Sequence, residues 1–68
     1  MTLLPHQERV VQERDELVDG LNLLYDFIFR NPLFNDLARE DSDLLVKQSE
    51  LMSRLADCLN ARIARFGE

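Results

Sequence analysis

Apolar residues recur every three or four positions through most of this chain. Val10, Leu17, Leu21, Leu24 and Ile28 form one stripe, with Arg14 occupying the step between Val10 and Leu17. Val11, Val18 and Tyr25 lie beside that stripe and widen the apolar face. The acids Glu8, Glu13, Asp15, Glu16 and Asp19 fall mostly elsewhere. Pro5 suits the first turn of a helix, where its missing N–H costs nothing. The pattern predicts an amphipathic helix over about residues 5–30. Asn31-Pro32 ends it, because the residue before a proline is pushed out of the helical region. Leu33, Phe34 and Leu37 then read as a short hydrophobic corner over residues 31–37.

A second helix is expected over about residues 38–66, starting somewhere between Ala38 and Ser42. Glu40, Asp41 and Asp43 occupy its first turns and Arg62 and Arg65 its last, which suits the helix dipole at both ends. Gly67 suits a stop. Its stripe reads Leu45, Gln48, Met52, Leu55, Leu59, Arg62, Phe66, with Leu44, Leu51, Ala56 and Ile63 broadening it. Asp26–Arg30, Asp43–Lys47 and Glu50–Arg54 are i,i+4 pairs that support helices.

A short linker forces the two helices antiparallel. The fold class is therefore all-α, a two-helix hairpin forming a single domain over 1–68. In the register this suggests, Gly20 lies opposite Gln48, and the acid-rich start of the first helix lies beside the arginine-rich end of the second. Two wide apolar faces cannot cover each other completely, so the hairpin is expected to self-associate into a helical bundle, as a dimer or a higher even assembly.

Length and composition sharpen that expectation. A chain of 68 residues buries too little surface for a robust core of its own. One cysteine, Cys58, excludes an internal disulfide, and one histidine, His6, leaves no zinc-binding spacing. Self-association remains as the staple. Apolar residues make up 46% of the chain, too many for a disordered tail. The net charge of −5 argues against nonspecific nucleic-acid binding. No apolar run approaches a membrane span, and the start lacks the pattern of a signal peptide, so a cytoplasmic location is expected.

Parts for catalysis are missing. Cys58 has no histidine near it and reads as a small core thiol, and His6 as a surface residue at a helix start. No glycine-rich phosphate loop exists, and no metal or cofactor is expected. Gly20 inside a helix calls for a reason, since glycine there costs about 1 kcal/mol against alanine. One reading is a close helix approach with Gln48 fixing the register; the other is a polar notch that admits a ligand. Arg14 and Arg62 interrupt the apolar stripes and also have two readings. Their stems can cover apolar surface while the heads reach water. Alternatively, arginines from several subunits gather at an interface and present their forks to an anion, with Tyr25, Phe34 or Phe66 stacking on a base.

The string Phe27-Ile28-Phe29-Arg30-Asn31-Pro32-Leu33-Phe34-Asn35-Asp36-Leu37 resembles an FIxxNPxFxxL signature. With Asp43-Leu44-Leu45, Gln48, Met52, Leu59 and Arg62-Ile63 it is similar to a family of very small tailed-phage and prophage accessory proteins related to crAss-like phage proteins. Ala38, where a better helix starter is expected, and Cys58 depart from that pattern. The resemblance implies a non-enzymatic phage protein that acts in the cytoplasm of an infected bacterial host and counters host defence. Sequestration of a nucleotide second messenger between subunits, of the cyclic nucleotide or ADP-ribose type, is the reading favoured by the arginines in the seams. Its ligand-binding residues would be Arg14, Tyr25, Phe34, Gln48, Arg62 and Phe66. A protein-binding inhibitor or adaptor that caps a host protein is the alternative, and a structural virion role comes third.

Overall fold

The computed structural model describes residues 2–67. It is a rod of 49 × 15 × 14 Å built from two antiparallel helices. Helix α1 spans Pro5–Arg30 and helix α2 spans Arg39–Ala64. Proline stands at the first position of α1, and Gln7 Oε1 accepts the Leu4 backbone N–H at 2.9 Å, satisfying a donor just outside the helix.

Asn31 makes the corner. Its backbone is extended, as a residue before proline prefers, and its Oδ1 accepts the Leu33 N–H at 2.9 Å. That bond caps a short 3-10 helix over Pro32–Asp36. Phe34 packs edge-on against Phe27 with ring centroids 6.1 Å apart, so the corner is pinned to α1. Leu33 stays exposed. Ala38 starts α2 with no side-chain cap, and Glu40 and Asp41 in the first turn offset the unpaired N–H groups electrostatically.

Between the helices the deeply buried apolar side chains are Val10 and Leu21 from α1 and Ala56 and Leu59 from α2. The α1 stripe lies where its periodicity puts it, with Leu17, Leu24 and Ile28 half-buried beside those two. The α2 stripe is rotated from the expected one. Its inward seam runs Leu45, Ser49, Met52, Ala56, Leu59, Ile63, Phe66, whereas Gln48, Leu55 and Arg62 are exposed. Both seams share Leu45, Met52, Leu59 and Phe66, and they differ by one residue at the alternate steps. Turning the Gln48 amide and the Arg62 guanidinium inward would cost the free energy of desolvating them. Ser49 and Ala56 are small enough for close approach, and the Ser49 hydroxyl donates to the Val46 carbonyl at 2.7 Å. Cys58, expected in the core, moves outside with the same rotation and is exposed.

The register differs too. Arg14 Nη1 donates to Asn60 Oδ1 at 2.7 Å, and a Cβ on Gly20 would lie 3.6 Å from Met52 Cε. Gly20 therefore faces Met52, one helical turn beyond Gln48. A contact of that length with the flexible end of a methionine is ordinary, so the helices do not require a glycine there. Gly20→Ala is expected to raise stability by about 0.5–1 kcal/mol through helix propensity. The check is a higher urea midpoint at unchanged slope; a lower midpoint would show that the glycine serves packing.

Candidate functional site

Six side chains are candidates for holding a ligand, and the hairpin divides them into two groups. Arg14, Arg62 and Phe66 belong to the open end of the rod. Arg14 lies on the inner stripe, 29% exposed, with its Nε on Asp15 Oδ1 at 2.8 Å and its Nη1 on Asn60. Its need for an anion is thus met within the hairpin, by Asp15 rather than by Glu8, Glu13 or Glu16. Arg62 is different: it stands on the outer face of α2, exposed, with no carboxylate within 4 Å among the described residues. Phe66 is half-buried beyond the end of α2.

Tyr25, Phe34 and Gln48 form the second group, towards the corner. With Met52 beside Gly20 and Asn60 beside Arg14, Tyr25 falls level with Gln48 along the rod. Tyr25 is half-buried, and its ring lies 5.9 Å from that of the exposed Phe29. Gln48 is exposed, and its amide makes only a 3.8 Å approach to Met52 Sδ. Phe34 belongs to the corner itself. Gln48 and Arg62 are four helical turns apart on α2, about 21 Å. One hairpin does not bring the six residues into one site.

The outer face of α2 contains more than sequence reasoning assigned to it. Leu44, Leu51 and Leu55 are exposed large hydrophobics there, and Cys58, Gln48 and Arg62 lie on the same line. The spacing of these six residues alternates four and three, a second complete seam on one helix. Its signal was present in the sequence, where Leu44 and Leu51 read as broadening a single stripe. Lys47, Glu50, Arg54 and Asp57 flank this seam. Among the described residues no ion pair within 4 Å engages any of these four, since Asp43 turns back to Arg39 at 3.8 Å rather than to Lys47.

At the corner an open concavity of about 630 Å³ is lined by Leu23, Asp26, Phe27, Arg30, Asn31 and Pro32. Asp26 and Arg30 stand 3.8 Å apart on its rim, and both are strongly exposed. Such a pair contributes little to stability and leaves the depression near neutral. No helix among the described residues is long and apolar enough to cross a membrane.

The hairpin thus carries a second, solvent-facing seam on α2 with the exposed Arg62 at its end. The chain belongs to the Sequestin family, whose model matches residues 4–65. The family name denotes sequestration. The chain is also 34% identical over 64 residues to a 7.5 kDa protein from the denB–rIIB intergenic region of Enterobacteria phage T4, described as uncharacterized; the match covers 94% of this chain and 98% of that protein. No solved structure matches.

Proposed function

We propose that this protein works as an assembly of its own copies, in the cytoplasm of an infected bacterium, to bind an anionic nucleotide signal and hold it unaltered. The observation that carries this reading is Arg62. A guanidinium at the end of a largely apolar seam, exposed and with no carboxylate within 4 Å among the described residues, offers a planar fork that suits a phosphate. Gln48 supplies donors and an acceptor for a base edge, and Tyr25, Phe34 and Phe66 supply flat surfaces for stacking. Arg14 is held in place by Asp15 and Asn60, with its charge already offset by Asp15. Membership of the Sequestin family supports withholding rather than transforming a ligand. Countering host defence is the purpose that such withholding serves for a phage.

A second reading has its own observation. The exposed Leu44, Leu51 and Leu55 suit a host protein helix as well as they suit another copy of this chain. On that reading the protein is an inhibitor or adaptor that caps its target.

Calorimetry with cyclic di- and trinucleotides and ADP-ribose derivatives separates the two. Binding of one member is expected, weakening with salt and stabilising the fold by about 2.7 kcal/mol at a hundredfold excess over Kd. Arg62→Ala is expected to lower affinity at least tenfold while the helical signal stays intact, because the side chain is exposed. Absence of heat and of thermal shift across the panel would end the nucleotide reading. Unchanged binding by Arg62→Ala would show that another residue holds the phosphate.

A further inference from the structure

The geometry points to a second copy's α2, laid antiparallel along the seam of Leu44, Gln48, Leu51, Leu55, Cys58 and Arg62, as the occupant of this outer face. The inference rests on the reading that the protein works as an assembly of its copies, and it names the surface and the register that join them.

Area is the first argument. The hairpin exposes 5422 Å². A compact monomer of 8.0 kDa is expected to expose about 4,450 Å². The excess is about 1,000 Å² per chain, and a stable dimer of standard size buries about 800 Å² per partner. The second argument is periodicity. Steps of four and three residues keep a seam on one side of a helix through five intervals, which a coiled-coil pairing needs and a solvated face does not.

Charge decides the direction. A two-fold axis passing between Leu51 and Leu55 sets Leu51 against Leu55 of the second copy, Gln48 against its Cys58 and Leu44 against its Arg62. On the flank, Lys47 then lies within two residues of level with Asp57 of the second copy and Glu50 within two of its Arg54, each approach occurring twice; the two Arg54 side chains lie at the same offset from each other. Among the described residues none of these four groups has an ion-pair partner within 4 Å in the hairpin. A parallel pairing would instead set Arg62 on Arg62 and Gln48 on Gln48, bringing like charges together within the seam.

The antiparallel register also mends the division of the candidate site. Arg62 of the second copy arrives level with Leu44, one helical turn from Gln48 and from Tyr25 at the same height. Groups about 21 Å apart in one chain come within a turn of each other across the axis, twice per dimer.

Disulfide trapping with diamide tests the register. Gln48 is exposed in the hairpin, so Gln48→Cys retains the fold, and its thiol faces the native Cys58 of the second copy. A covalent dimer is expected from Gln48→Cys and none from Gln48→Cys/Cys58→Ser. Wild type is also expected to stay uncoupled, because its two Cys58 residues are offset by ten positions, about 15 Å, beyond the reach of a disulfide. Coupling of wild type or of the double variant would overturn the antiparallel register. So would a Gln48→Cys protein that sediments as a dimer but does not couple. A folded wild-type monomer in sedimentation would remove the pairing and the assembly reading together, whereas the nucleotide panel reports on sequestration separately.

Discussion

Replacing Leu59 by alanine is expected to remove about 2–5 kcal/mol of stability, the range for emptying a buried leucine site. Leu59 is the most deeply buried apolar residue of the hairpin, 2% exposed, and it sits on α2 between Ala56 and Ile63 where that helix faces α1. A chain of 68 residues has a total stability of about 3–10 kcal/mol, so the loss is comparable with the whole. Neighbours cannot collapse into the gap easily, because the α1 positions at this level include Arg14, tied to Asp15 and Asn60. Leu59→Asp goes further by placing a carboxylate at the most deeply buried apolar position, and no cooperative unfolding transition is expected for it. Circular dichroism in urea checks both. A Leu59→Ala midpoint near that of wild type would mean that the hairpin core lies elsewhere.

Leu55→Asp is expected to dissociate the assembly, with loss of helicity following at low protein concentration. Within one hairpin Leu55 is 45% exposed, so a carboxylate there meets water and costs α1–α2 packing little. In the antiparallel pairing it faces Leu51 of the second copy, and the two-fold axis doubles each change. Removing two buried leucines is worth about 3–6 kcal/mol, or a hundredfold or more in dimer affinity. Leu23→Asp is the matched control, since Leu23 is 72% exposed on α1, away from the seam; its effect is expected to stay within about 0.5 kcal/mol. Sedimentation that is unchanged by Leu55→Asp would remove the outer seam of α2 from the interface.

The all-helical hairpin was legible because its signals are local. Pro5, the three-and-four recurrence and Asn31-Pro32 act within a few residues of where they stand. The facing of α2 was not legible, because two seams share Leu45, Met52, Leu59 and Phe66. Choosing between Gln48 and Ser49, or Leu55 and Ala56, requires knowing how closely α1 approaches, which is a tertiary quantity. A preference for large apolar residues in the stripe selected Leu55, whereas close packing selected Ala56. The polar positions carried the missing information: Ser49 can satisfy its hydroxyl on its own helix, whereas turning Gln48 and Arg62 inward would cost the free energy of desolvating them. Among the candidate ligand residues, the hydrogen bond from Arg14 to Asn60 was hidden for the same reason, since it depends on a register one turn away from the one inferred.

Sequestration makes one demand that neither enzymes nor protein-capping inhibitors meet: the ligand must be retained by the protein and come back unchanged. Incubation with the nucleotide that gives heat in calorimetry, followed by ultrafiltration, heat denaturation of the retained protein and chromatography of the supernatant, tests it directly. The expected result is a filtrate depleted of ligand and quantitative recovery of the intact nucleotide after denaturation. Ligand passing freely into the filtrate, or a hydrolysed product in its place, would contradict sequestration.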